Sequence, residues 1–228
     1  MEKYKILTVI IIASLLAGGF VLYKPGGPAV AIVKKVVNDV KYKLSDKDGW
    51  DAAKASQILA DHDEIRTGPK SLAVILFTDG SGQLRVRENS VLQIYGRKDN
   101  KQLNKNTLIQ NGTVSFDVSK QSNEEFKFTT PTAVASIRGT GGLLGANNDS
   151  TFLSLEHGSV DFQSLVQGGG GGTVNGGQTG VIYKDGRFIS RQSNQNDLML
   201  LQSAKNTNTK KLKVKVNNQI LEIEYLSQ

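Results

Sequence analysis

The segment Thr130-Pro131-Thr132-Ala133-Val134-Ala135-Ser136-Ile137-Arg138-Gly139-Thr140 admits few conformations. Pro131 fixes φ and lacks an N–H donor, so a helix cannot run through it. Ala133, Ala135 and Ile137 then recur at the period of two that puts them on one face of a strand. Gly139 allows a bend that other residues resist. The result is a short buried strand ending in a tight turn, and similar patterns recur along the chain. Leu84 to Arg87 and Val91 to Tyr95 alternate cleanly, and Leu72 to Phe77 is a continuous apolar run suited to a central strand. Glycine is frequent (24 residues) and proline rare (4), and few segments carry the helical period, so many short strands joined by tight turns are expected.

The remaining elements follow from the same signals. Ala29 to Val33 and Val36 to Tyr42 read as strands, Ala52 to Leu59 as a short helical turn, and Arg97 to Asn106 as a polar loop. Gly168 to Gly172 reads as a flexible loop, since no helix follows to make a phosphate cradle. Asp197 to Leu201 suits a short helix capped by Asn196 or Asp197. Leu212 to Val216 and Ile220 to Tyr225 flank Asn217-Asn218 as a hairpin whose lysines face glutamates. Asn111-Gly112-Thr113-Val114-Ser115-Phe116 is echoed by His157-Gly158-Ser159-Val160-Asp161-Phe162, each a glycine turn before two inward apolar positions, with Gly82 to Val86 a looser third copy. Such recurrence suggests stacked rungs, although alternating strands after glycine turns also look alike by chance.

Ile6 to Tyr23 carries no charge and follows Lys3 and Lys5. As a helix it would span about 27 Å, close to the hydrocarbon thickness of a bilayer. The flanking lysines favour a cytoplasmic N-terminus. Two readings compete: a signal peptide with Ala17-Gly18-Gly19 as a weak cleavage site, or an uncleaved anchor, which the apolar continuation through Phe20 to Tyr23 favours. Both export residues 25 onward. The expected localisation is the inner membrane, single-pass, with the bulk of the chain periplasmic.

Net charge is +7, a mild excess that suits anionic headgroups or wall polymers and does not single out nucleic acid. Export and the lack of interleaved aromatics argue further against nucleic acid. Cysteine is absent, which rules out a disulfide scaffold, a cysteine nucleophile and thiolate metal sites. His62 lies in Asp61-His62-Asp63-Glu64, but neighbours on an extended segment point apart, so a solvated loop is preferred to an acid–base or metal site. Asp46-Lys47-Asp48-Gly49 does not fit a calcium loop. Gly139-x-Gly141-Gly142-x-x-Gly145 does not fit the dinucleotide fingerprint, and no serine sits in a nucleophile elbow. No catalytic, cofactor or metal residue is assigned. Trp50 reads as buried support, with a ligand platform as the alternative. Arg138 reads as a turn anchor, with an anion contact as the alternative. Lys205, Lys210, Lys211, Lys213 and Lys215 form a basic run that either blocks strand addition or touches a polyanion.

The run from Thr129 to Thr140 resembles the Thr-Pro…Ala…Arg-Gly-Thr signature of the FecR family of bacterial extracytoplasmic domains. Further pieces occur in the family's order: Gly49-Trp50, Asp63-Glu64-Ile65-Arg66-Thr67-Gly68, the strand from Ser71 ending in Asp79-Gly80-Ser81, Glu156 to Phe162, and Gly177-Gln178-Thr179-Gly180. The likeness runs from about Val36 to about Ile189. It implies motif residues of structural rather than catalytic role: Trp50, Thr67, Asp79, Gly80, Pro131, Arg138, Gly139, Thr140, Gly158, Gly177 and Gln178. It also implies a non-catalytic sensing or scaffolding module with a compact, solenoid-like or two-layer β fold. The best-known members relay an outer-membrane iron-uptake signal to a sigma factor through a cytoplasmic region. Only Met1 to Lys5 precede the apolar segment here, so the resemblance is to the sensor module without the anti-sigma region.

The combined expectation is all-β: a solenoid-like or two-layer domain of stacked short strands preceded by one transmembrane helix. The segments are an anchor (1–24), a FecR-like domain (25–190), a polar linker (191–211) and a hairpin (212–228). The function expected is non-enzymatic binding or scaffolding of an envelope protein, by presentation of a β surface, in signalling. The alternative is a binder of peptidoglycan or another polyanion through Trp50, Arg138, Lys210, Lys211, Lys213 and Lys215. No cofactor is expected.

Overall fold

The computed structural model describes residues 28–99, 102–120, 126–216 and 219–226. Its first strands are β1 (Ala31–Val37), β2 (Val40–Lys43), β3 (Asp51–Ala52), β4 (Ile58–Leu59), β5 (Glu64–Thr67), β6 (Leu72–Phe77), β7 (Gly82–Val86) and β8 (Val91–Asp99). Next come β9 (Gln102–Val118), β10 (Phe126–Thr129), β11 (Ala133–Ile137), β12 (Thr140–Ala146), β13 (Ser150–His157) and β14 (Ser159–Ser164). The chain closes with β15 (Gly171–Asn175), β16 (Gln178–Tyr183), β17 (Phe188–Gln192), helix α1 (Gln195–Lys205), β18 (Thr209–Val216) and β19 (Gln219–Leu226).

The chain is mostly β, and β1 to β17 belong to one continuous, unclosed sheet folded into two leaves. The first leaf runs β4-β1-β6-β7-β9-β12-β13-β16-β17. The second runs β3-β2-β5-β8-β9-β10-β11-β14-β15. Strand β9 belongs to both, pairing with β8 and β10 through its first half and with β7 and β12 from Gly112 onward. Among the described residues only β9 and β10 run parallel. The all-β expectation is met by a mostly β chain with a single, unclosed sheet.

The period-two pattern explains what lies between the leaves. Ile75, Leu84, Phe116, Leu144 and Leu153 of the first leaf meet Ile65, Leu92, Ile94, Ile109, Phe128 and Phe162 of the second in one buried cluster. Phe77 packs edge-on against Phe126 at 4.9 Å, and Phe116 lies 5.0 Å from Phe128, so aromatic rings bridge the leaves directly.

Passing from one leaf to the other needs a sharp change of direction, and a left-handed residue supplies it. Asn38, Ser56, His62, Lys70 and Asn89 do this in the first half, and Gly112, Gly139, Gly158 and Gly177 in the second. At Gly112 (φ 103°) a Cβ would fall 2.4 Å from the Ser90 Cα, and at Gly158 (φ 85°) 2.6 Å from the Gly139 carbonyl oxygen. The echo between residues 111–116 and 157–162 thus has a cause. Both glycines are leaf crossings, and Val114, Phe116, Val160 and Phe162 after them all point into the core.

Strand β12 is buried on both faces because α1 covers the outer side of the first leaf. Leu201 and Ala204 of the helix pack on Leu143, with Phe152 alongside. Beyond the helix, Lys35 Nζ donates to the Thr207 carbonyl at 2.9 Å, and Arg87 donates to the Asn206 carbonyl at 2.9 Å, tying this segment to the leaf.

Several local expectations need correction. Val36 and Val37 belong to β1, and Asn38 turns the chain before β2, so residues 36–42 are not one strand. Residues 52–59 contain no helical turn: Ser56 has φ 68°, which breaks a right-handed helix, and the segment forms β3 and β4 instead. Residues 97–99 and 102–106 are not loop but continue the β8–β9 pairing, as far as Asp99 with Gln102. Gly171 and Gly172 begin β15, leaving only the preceding glycines to the turn. Helix α1 is longer than expected and is capped by Asn194, whose side chain accepts from the Asp197 N–H while Asp197 accepts from the Asn194 N–H. The expected anchor, Ile6 to Tyr23, lies outside the described residues. Among the described residues no helix is long and apolar enough to cross a membrane.

Candidate functional site

The motif residues read from the sequence occupy turns and leaf crossings. Thr67 ends β5, with its hydroxyl donating to the Arg87 carbonyl and accepting the Ser90 N–H at 3.0 Å, which clips the β7–β8 crossing to β5. Pro131 sits between Thr130 and Thr132, whose buried hydroxyls lie 2.6 and 2.7 Å from the Thr151 hydroxyl on β13. This triad bolts the β10–β11 turn of one leaf to a strand of the other. The single Thr140 hydroxyl proton is shared between the carbonyls of Arg138 (3.2 Å) and Ser159 (3.3 Å), joining the crossings at Gly139 and Gly158. Gln178 accepts the Asn175 N–H at 2.9 Å across the Gly177 turn.

Asp79 closes the β6–β7 turn at Gly80 by accepting the Ser81 N–H at 2.9 Å, and it also accepts from Lys105. The Lys105 side chain is fully buried. Burial disfavours the Asp79 carboxylate, but the hydrogen bonds from Lys105 and Ser81 outweigh it and hold this carboxyl below the usual range. Asp63 behaves oppositely. Burial pushes its carboxyl above the usual range, although the N–H groups of Ala60 and Ser45 pull the other way.

The expected ligand contacts are not gathered into one site. Trp50 is half-buried before β3, with the Arg66 guanidinium 4.3 Å over its ring. Arg138 is exposed after β11, and five strands separate β3 from β11 in their leaf. Its carbonyl, rather than its side chain, is what anchors the turn. Lys210 and Lys213 are exposed on β18, and the register sets Lys211 opposite Glu224 and Lys213 opposite Glu222. The side chains of Lys211 and Lys215 lie outside the described residues. Among the described residues no three His, Cys, Asp or Glu side chains cluster closely enough to hold a metal ion.

One cleft went unread in the sequence. It has a volume of about 550 Å³ and is lined by Asp61, His62, Tyr95, Gly96, Asn104, Lys105, Asn106 and Lys127. The solvated-loop reading assumed an extended backbone at His62. The observed φ of 69° instead brings His62 Nδ1 within 2.9 Å of the Asp61 carboxylate. Lys105 escaped notice because β9 carries polar residues on both faces there, so Lys105, Thr107 and Ile109 did not stand out as one inward row.

The two ends of the stack differ. At one end β3 and β4 are two residues long, and the segment between them closes over the core through Ala53 N–H to Val40 O and Ser56 N–H to Val33 O. At the other end β15 and β17 are the last strands of their leaves. Tyr183 and Ser193 N–H bond across to Arg187 and Gly177. By the alternation of an antiparallel ladder, Ile189 and Arg191 also bond to β16, and the backbone groups of Phe188 and Ser190 face outward, as do those of Gln192, whose carbonyl accepts from the Arg191 guanidinium at 3.1 Å. Residues 189–192 are exposed.

Residues 63–161 match the family model described as FecR protein. The matched region is shorter than the likeness read from the sequence, leaving out Trp50 and Gly177-Gln178. No curated protein matches the chain. Two crystal structures of a candidate anti-sigma factor from Parabacteroides distasonis ATCC 8503 share the fold. The one at 1.65 Å resolution is 12% identical with a TM-score of 0.51, over 60% of this chain and 62% of that chain. The one at 2.50 Å is 10% identical with a TM-score of 0.53, over 72% of this chain and 84% of that one. The chain thus spans somewhat under two thirds of the first of these structures. Residues 63–161, which hold most of the motif residues placed above, thus carry the chain's match to the FecR family.

Proposed function

We propose that this chain is a non-enzymatic binding module of signalling type that presents an open β edge to a protein of the cell envelope. The observation that carries the reading is the asymmetry of the stack. One end is closed by β3, β4 and the segment between them, while β17 ends the other with a row of outward backbone groups. Such an edge is a template for an extended peptide, which adds as a further strand through main-chain hydrogen bonds. Ile6 to Tyr23 would tether the module to the inner membrane and place it outside the cytoplasm. The FecR match and the fold shared with candidate anti-sigma factors support a role in signalling.

Ser190→Pro tests this directly. The Ser190 N–H faces away from β16, so proline removes a donor the partner needs without breaking the β16–β17 ladder. A photo-crosslinker at position 189 in cells should give a discrete adduct with one envelope protein that disappears in the Ser190→Pro background. An adduct that persists there, or no adduct at all, refutes strand addition at β17.

A further inference from the structure

We propose that the cleft beneath the β8–β9 hairpin is a binding site for a short, neutral, hydroxyl-rich glycan. This site is separate from the β17 edge and uses none of the residues expected from sequence to touch a ligand. Three observations support it. The first is a preorganised aromatic pair. His62 and Tyr95 meet edge to face, with ring centroids 4.7 Å apart. The Tyr95 hydroxyl donates to Gln93 Oε1 at 2.5 Å, and Gln93 Nε2 donates to the His62 carbonyl at 2.9 Å, tying the Tyr95 ring to the His62 backbone, while Asp61 holds the His62 ring through Nδ1 at 2.9 Å. His62 N–H bonds to the Ile94 carbonyl at 2.7 Å, and its left-handed backbone holds the ring up at the cleft, where it is about half exposed (55%). Aromatic rings of this kind present an apolar face to the C–H side of a sugar and a polar tip to its hydroxyls.

The second observation is charge balance. Asp61 and Lys127 line the cleft, and Lys105, also in its lining, has a fully buried side chain whose ammonium is answered by Asp79. Asp61 also accepts the Gly96 N–H at 2.9 Å. No sign dominates, so neither an anion nor a cation is selected. The Asp61–His62 pair supplies only two ligands, too few for a zinc site.

The third is the mixture of donors and acceptors. Asn106 Oδ1 accepts from the Thr129 hydroxyl at 3.0 Å, which leaves its amide N–H donors for a ligand. Asn104 is a further polar residue of the lining. Mixed polar groups around an apolar platform are what a polyhydroxyl ligand requires. The volume falls within the roughly 300–1,000 Å³ of small-molecule pockets.

The test uses the full chain in zwitterionic micelles and saturation-transfer NMR with tri-N-acetylchitotriose, cellotriose and maltotriose as probes. At least one should bind, with an affinity little changed by added salt. His62→Gly removes the ring at a position whose positive φ glycine prefers, so it should not impair folding. His62→Gly and Tyr95→Leu should each weaken binding about tenfold while leaving the melting temperature in place. The Ser190→Pro variant should bind the glycan like the parent, which keeps this site independent of the strand-addition reading. The proposal fails if none of the three sugars binds, or if binding survives in both cleft variants. It also fails if the only ligand captured is a heparin-like polyanion released by salt.

Discussion

Thr151→Val is the sharpest probe of how the leaves are held together. The substitution keeps the side-chain shape and removes one hydroxyl that is completely buried. That hydroxyl lies 2.6 Å from Thr130 Oγ1 and 2.7 Å from Thr132 Oγ1, so two hydrogen bonds vanish together. Thr130 keeps partners, since it also bonds to the N–H and carbonyl of Ala133 at 2.9 and 3.1 Å. Thr132 is left with the Ile182 carbonyl at 3.5 Å, beyond ordinary O–H···O range. Two lost bonds at about 1 kcal/mol each, plus part of the penalty for a stranded buried hydroxyl, give about 2–3 kcal/mol. In a domain of this size that lowers Tm by about 5–10 °C. Urea unfolding should show the loss in the midpoint with an unchanged slope. The double variant Thr132→Val/Thr151→Val removes the stranded group and should be more stable than Thr151→Val alone. The argument is refuted if Thr151→Val unfolds within about 0.5 kcal/mol of the parent, or if the double variant equals the sum of the singles.

Three further outcomes are expected. Gly112→Ala combines a positive φ with a Cβ driven into the Ser90 backbone, so it should cost about 2–5 kcal/mol in urea unfolding. Gly168→Ala, at φ 75° with open space around it, should cost only about 1–2 kcal/mol, and equal losses would contradict the crossing argument. Asp79 has a folded pKa below its unfolded value of about 3.9, so its contribution is complete above that pH and is lost as pH falls through the folded pKa. The stability gap between the parent and Asp79→Asn should therefore be constant near neutrality and close below about pH 4. A gap independent of pH would show that the Asp79 carboxylate is not held by Lys105 and Ser81.

Local pattern was enough to read the β class, the apolar faces and most turns, because period-two alternation and glycine act over a few residues. Ala133, Ala135 and Ile137 are inward as their spacing requires, and Asp79-Gly80-Ser81 is the turn its residues favour. The continued pairing of residues 97–99 with 102–104 was hidden because it shows as cross-strand register and not as apolar alternation. The corners at Ser56, His62 and Lys70 were hidden for another reason. Their left-handed backbones are imposed by the leaves on either side, not by the residue types.

The cleft shows the same division. Asp61-His62 is visible as letters, but the meeting of those side chains depends on one left-handed φ, and their meeting with Tyr95 and Lys105 depends on β8 and β9 passing beside the 60–63 turn. The amino-acid sequence by itself determined that this chain builds short strands with one buried face and sharp glycine corners, and it carried the FecR signature. Only the tertiary structure decided which crossings stack, which end of the stack stays open, and that a buried lysine answers Asp79. Those outcomes are set by contacts between residues distant in the chain, and no local window contains them.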